Sequence, residues 1–145
     1  GTLDGTAYVK IIAPGDYEAI QWISEHIKGQ PIMLEAPGEA YRFSSYVSTM
    51  TGLPTVVGWV THEVMWRGSW GEALRRDKDV NQIYVSPDSN ESLALLKKYN
   101  VQYVYVGKLE KEKYPAESLQ KFASDLERYQ PIYEKDAVII YQVMS

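Results

Sequence analysis

An α/β fold, a Rossmann-like three-layer sandwich whose mainly parallel sheet carries an antiparallel edge hairpin at the C-terminus, follows from three observations. Amphipathic stretches alternate with short β-rich runs along much of the chain. Two of those stretches lead directly into apolar runs, as helix-to-strand units do. The last two β-rich runs lie close enough in sequence to form a hairpin.

Taken in order, the pattern turns helical at Ala13-Pro14-Gly15. Asp16 is placed as N-cap, Glu18 falls in the electropositive first turn, and Ile20, Ile23 and Ile27 make one stripe that Lys28-Gly29 closes. Pro31 opens the run Ile32-Met33-Leu34, which reads as a buried strand ending at Glu35. The second unit begins at Ser86-Pro87-Asp88, where Asp88 and Glu91 have capping-box spacing. It continues through Leu93 and Leu96 to Lys97-Lys98 and Asn100, and a strand from Val101 to Val106 follows. After Pro115, the spacing of Leu119, Phe122, Ala123 and Leu126 predicts a third helix. Pro131-Ile132-Tyr133 and Ala137 to Val143 predict the terminal hairpin, its last strand antiparallel at an edge. Lys135-Asp136 lacks the glycine that a tight two-residue turn prefers, so a slightly longer turn fits the sequence.

Between Glu35 and Trp70 the periodicity breaks down, apart from a strand expected at Thr55-Val56-Val57. Long irregular connections in compact domains tend to be functional or disordered. This one is too aromatic for disorder, holding Tyr41, Phe43, Tyr46, Trp59, Trp66 and Trp70. In a parallel sheet, Glu35 and the loop after Val57 both emerge at the carboxyl ends of strands, where open α/β sheets bind their ligands.

Composition narrows the function. The 145 residues, 45% hydrophobic and 23% charged, suit one folded domain spanning 1–145. No apolar run reaches the roughly 18 residues of a spanning helix. A net charge of -4, with Arg75, Arg76 and Lys78 interrupted by Asp77 and Asp79, gives no footprint for a phosphate backbone, so nucleic acid is not expected as a partner. The absence of cysteine removes thiolate nucleophiles and cysteine zinc sites. The start at Gly1-Thr2-Leu3, without Met, reads as an excised or processed fragment.

The long connection holds the chemistry. Glu35 and Glu39 have the makings of a carboxylate pair that, with Arg42, orients a hydroxyl-rich ligand or shares a proton; the plain alternative is a solvated loop whose acids pair with Arg42. His62-Glu63 opens like a zinc-protease motif, but Trp66 stands where the second histidine is needed. With only His26 and His62 in the chain, no cofactor is implied, and an oxygen-ligated divalent cation at the carboxylates is the one metal the composition accommodates. His62, flanked by Glu63 and Arg67, suits either proton transfer or packing between Trp59 and Trp66. Trp59, Trp66 and Trp70 suit either a stacking platform for sugar rings or a plug that holds the loop down. No nucleophile elbow, dinucleotide fingerprint or phosphate-binding loop is present, and the Asn90-Glu91-Ser92 sequon falls at a helix start.

The stretch from Val47 to Trp59, Val-Ser-Thr-Met-Thr-Gly-Leu-Pro-Thr-Val-Val-Gly-Trp, continuing into His62-Glu63 and Trp66-Arg67-Gly68, resembles a signature block of the "YYY" polytopic membrane-protein family. The likeness extends to Thr2 to Tyr8, Asp16 to Ile20, Leu34 to Glu39 and Tyr103 to Gly107, and so to nearly the whole chain. Val60-Thr61 before His62 and Met65 before Trp66 depart from the pattern, which calls for Pro-Gly and Gln there. The resemblance implies a C-terminal domain on the extracytoplasmic side of the cell membrane, preceded by transmembrane helices related to lipid-linked-sugar glycosyltransferases. The catalytic residues would then lie in that membrane portion. The expected function is an accessory domain that engages a glycan or polyprenyl-linked sugar through Glu35, Glu39, Tyr41, Arg42, Trp59, His62, Glu63, Trp66 and Arg67. A structural module docking on its own transmembrane portion or a partner protein is the alternative.

Overall fold

A computed structural model describes residues 13–37, 46–56 and 70–144. The first described helix, α1 (Pro14–His26), starts with proline at its first turn and Ala13 as an N-cap that makes no side-chain bond. Asp16 is therefore not the cap. It lies inside the first turn, and its carboxylate turns to the Tyr105 hydroxyl and the Lys108 backbone instead. Ala19, Ile20 and Ile23 form the buried stripe of α1. Strand β1 (Ile32–Leu34) follows as expected.

Among the described residues, two helices interrupt the stretch read as mostly irregular or left without an element. The short α2 (Tyr46–Thr51) is stopped by Gly52, whose φ of 77° only glycine adopts without strain. Its Val-Ser-Thr-Met-Thr sequence has weak helix propensity, and tertiary contacts override it. The longer α3 (Trp70–Val85) buries Val80, Ile83 and Tyr84 along one face of an otherwise charged run. Of the strand expected at Thr55-Val56-Val57, Thr55 and Val56 belong to no strand and Val57 lies outside the described residues. The adjacent Pro54 carbonyl nonetheless accepts the Met33 N–H at 3.0 Å, satisfying a donor of β1 without a ladder.

Asp88 caps α4 (Ser89–Lys98) by accepting the Asn90 N–H at 2.9 Å, whereas Glu91 turns to Gln82 and Ser86, so no capping box closes. Asn100, with φ 55°, ends the unit before β2 (Val101–Val106). Then come α5 (Lys108–Lys113), which the sequence pattern did not suggest, and α6 (Ala116–Ser124). The buried face of α6 is Ser118, Lys121 and Phe122; Ala123 is exposed, and Leu126 lies past the helix end, 63% exposed. The Lys121 ammonium explains that offset. It reaches back to the Tyr84 carbonyl at 2.8 Å, in the last turn of α3, so the helix turns its amine inward.

Strands β3 (Tyr129–Lys135) and β4 (Val138–Val143) complete a four-stranded sheet in the order β1-β2-β4-β3. Only β1 and β2 are parallel; β2–β4 and β3–β4 are antiparallel. The described sheet is thus mixed rather than mainly parallel, and its last strand is interior, with β3 at the edge. The hairpin turn has just two residues, Asp136 and Ala137, with φ of 51° and 66° and Lys135 paired with Val138. Aspartate tolerates this left-handed pair and alanine resists it. Ala137→Gly is therefore expected to stabilise the protein by about 1 kcal/mol, measured by urea denaturation; a loss of stability would show that the turn differs.

Period-two alternation sends the strands' side chains to two cores. Leu34, Val104, Val106 and Tyr141 join Ile83, Tyr84, Leu96 and Phe122 on the face covered by α3, α4 and α6. Met33, Tyr105, Val138 and Ile140 join Ile20, Ile23 and Val47 on the face covered by α1 and α2.

Candidate functional site

The carboxyl ends of β1 and β2 point the same way and gather three buried acids, Asp16, Glu35 and Glu110. Each is held by backbone or phenolic donors. Glu110 stands three residues after Gly107, the N-cap of α5; its Oε1 accepts the Gly107 N–H and its Oε2 accepts the Ala36 N–H, both at 2.8 Å. One carboxylate thereby ties the exits of both parallel strands. Glu35 Oε1 accepts the Val47 N–H at 3.2 Å, satisfying a donor in the first turn of α2. Asp16 Oδ2 accepts the Tyr105 hydroxyl at 2.6 Å, and its Oδ1 accepts the Lys108 N–H at 3.2 Å.

The Tyr84 hydroxyl lies between the strand exits, 2.7 Å from the Tyr105 carbonyl and 3.2 Å from that of Leu34. Tyr84→Phe is expected to cost about 1–2 kcal/mol, because two buried carbonyls lose their shared donor while the ring packing stays. Urea denaturation measures it, and an unchanged midpoint would show that the bridge contributes nothing.

Burial shapes the acidity here. Desolvation raises the Glu110 carboxyl to about 7, against the pull of the Ala36 and Gly107 amides. Asp16 is also raised by burial, opposed by the Tyr105 hydroxyl and the Lys108 amide. A group whose pKa is higher folded than unfolded adds most stability at low pH and loses it as pH rises through the folded value. For Glu110 that window runs from the ordinary 4.5 to about 7. The difference amounts to about 3 kcal/mol, so unfolding free energies of wild type and Glu110→Gln, measured from pH 5 to 8, should show the wild type falling more steeply. Parallel profiles would contradict this.

Beside the acids opens a groove of about 1000 Å³ between the start of α1, α5 and the β3–β4 turn, with Tyr17, Gln21, Lys108, Lys111 and Asp136 on its walls and Asp16 in its lining. Gly15 permits the close approach of α1 to the turn: a Cβ there would stand 2.8 Å from the Asp136 carbonyl oxygen. Lys111 donates to the Ala137 carbonyl, and Lys108 pairs with Glu112. On the other side, Lys113 donates to the Pro37 carbonyl at 2.7 Å, where the chain leaves β1.

Of the residues expected to bind ligand, the described part contains Glu35, buried and turned toward α2. Glu39, Tyr41, Arg42, Trp59, His62, Glu63, Trp66 and Arg67 lie outside the described residues. Among the described residues no group of three or more His, Asp or Glu is placed to hold a metal ion, and no helix is long and apolar enough to cross a membrane. Asp16, Tyr84, Tyr105, Gly107 and Glu110 were not anticipated as a group. The available signal was Gly107 immediately after a strand with Glu110 three residues on, half of a capping box.

No protein-family model matches the chain, and no curated protein matches it. The "YYY" resemblance thus has no counterpart in these comparisons. The fold is similar to the crystal structure of the C-terminal globular domain of an oligosaccharyltransferase from Archaeoglobus fulgidus, at 12% sequence identity and a TM-score of 0.55, over 88% of this chain and 95% of that one.

Proposed function

We propose that this chain is the accessory domain of a membrane glycosyltransferase, lying on the extracytoplasmic side and engaging a glycan or polyprenyl-linked sugar at the carboxyl edge of β1 and β2. The observation that carries the reading is the near end-to-end fold likeness to a C-terminal domain of an oligosaccharyltransferase. Fold alone assigns no activity, and the local arrangement adds to it. Glu35 and Pro37 stand where the chain departs toward Glu39, Tyr41 and Arg42, and across α5 from Pro37 a groove offers acids, amines and a phenol to hydroxyl-rich ligands. Glu35 accepts the Val47 N–H and stands at the point from which that stretch leaves β1. Trp59, His62, Glu63, Trp66 and Arg67 supply the remaining contacts in this reading, and catalysis belongs to the membrane portion.

Calorimetric titration with a panel of monosaccharides, a short-chain polyprenyl phosphate and its sugar-linked form tests this. Binding at millimolar ligand or tighter, weakened at least tenfold by Trp66→Ala, is expected. Silence across the whole panel would overturn ligand engagement and leave the domain as a docking module for its transmembrane portion.

A further inference from the structure

We propose that Glu110 is a proton-operated latch between the exits of β1 and β2, closed when ionised and slackened when protonated. Its two oxygens accept one backbone N–H each, from Ala36 on one strand exit and Gly107 on the other. An ionised carboxylate is an acceptor at both oxygens and satisfies both donors at once. A protonated carboxyl keeps one strong acceptor, and its hydroxyl oxygen meets the second N–H poorly. One of the two ties is then lost, and the departure of the chain from β1 is no longer fixed to that from β2.

The surroundings make this carboxyl responsive. It is 2% exposed, and the ion pairs among the described residues, Lys98–Asp79, Lys108–Glu112, Arg128–Asp125 and Lys135–Glu18, do not include it. The titratable groups that face it are acids and phenols: Asp16 from α1, Glu35 from the exit of β1, Tyr84 from α3, Tyr105 from β2 and Tyr114 at the end of α5. The three lysines of α5 are turned elsewhere, Lys108 to Glu112, Lys111 to the Ala137 carbonyl and Lys113 to the Pro37 carbonyl. Ionisation is thus disfavoured by burial and by like charge, and favoured by the two amides. These opposing influences set the transition near neutrality, at about 7. The inference rests on those two bonds together with the burial of the carboxyl, and holds whether or not a glycan binds nearby.

Hydrogen exchange of individual amides, followed by NMR from pH 5.5 to 8.5 and corrected for intrinsic rates, reads the latch directly. The protection of Ala36 or Gly107, relative to Val104 within β2, should fall roughly tenfold or more on acidification, with a midpoint near 7. The side-chain carboxyl signal of Glu110 should titrate with the same midpoint. In Glu110→Gln the ratio should not depend on pH. Ratios at both amides that stay constant or rise on acidification in the wild-type chain would overturn the latch, whether or not the variant folds. So would an unchanged pH response in a folded Glu110→Gln.

Discussion

Gly107→Ala is expected to destabilise the protein by about 3–5 kcal/mol. A Cβ at this position would stand 2.1 Å from Asp16 Oδ2 and 2.7 Å from Tyr105 Cε1. Both neighbours are fixed. Asp16 is held by the Tyr105 hydroxyl and the Lys108 amide, and Tyr105 lies wholly inside the core under α1. To admit one methyl group, either Asp16 leaves its donors or α5 moves off the exit of β2. The first option abandons a buried hydrogen bond, and the second strips Glu110 of the Gly107 amide. Backbone strain is not the cause, since φ at Gly107 is -119°, open to any residue. Urea denaturation at pH 7 provides the measurement, with Gly29→Ala as a contrast. Nothing lies within 4 Å of a Cβ at Gly29, but its φ of 79° makes a smaller loss of about 1 kcal/mol the expectation. Equal losses at both positions would show that close approach to Asp16 is not what makes Gly107 necessary.

Phe122→Ala should cost a similar amount, about 3–5 kcal/mol, by leaving a cavity. The ring is fully buried and meets Tyr129 edge-on at 4.9 Å and Tyr84 at 6.1 Å, with Tyr141 at 5.8 Å. It anchors α6 to the sheet and to α3 together, so neither side collapses easily into the gap. The Lys121 ammonium lies 4.5 Å from the ring centroid and loses an aromatic surface as well. Phe122→Leu retains much of the apolar volume and should cost about 1–2 kcal/mol. A Phe122→Ala loss below about 1 kcal/mol would mean that α6 packs more loosely than the ring contacts indicate.

Strong local signals made the helix-to-strand units legible. A proline at the start of α1, Asp88 before α4 and the unbroken Val101 to Val106 run each act within a few residues, and each places an element correctly. Sheet order is a different kind of information. Nothing local in Val138 to Val143 says that it inserts between β2 and β3, because that is decided by which strand finds Tyr103 to Val106 as its partner. The same applies to α6, where an aliphatic count favoured Leu126 and Ala123, yet the Tyr84 carbonyl at the end of α3 draws Lys121 inward. α2 was hidden by β-branched residues. Glu35, just past β1, bonds the first turn of α2 and Val47 packs against α1, tertiary contacts that spacing does not reveal.

The parallel pairing of β1 and β2 that brings their carboxyl ends to one edge was legible, and Glu35 stands at that edge. The buried acids there were not, since Asp16 reads as a helix cap and the short polar stretch that carries Glu110 reads as no element. Their roles arise from burial, which brings residues 89 and 74 positions apart in sequence into contact as Tyr105 with Asp16 and Glu110 with Ala36. The groove between α1, α5 and the hairpin turn follows from the same convergence.

The central claim is that ligand engages this edge of the molecule. An amide NMR titration with a sugar-linked short-chain polyprenyl phosphate tests it most directly. The account predicts shifts concentrated at Ala36, Pro37-adjacent amides, Gly107, Lys108 and Asp136, with the outer face of α4 unaffected. Shifts confined to α4 or to the β3 edge, or none at millimolar ligand, would contradict it.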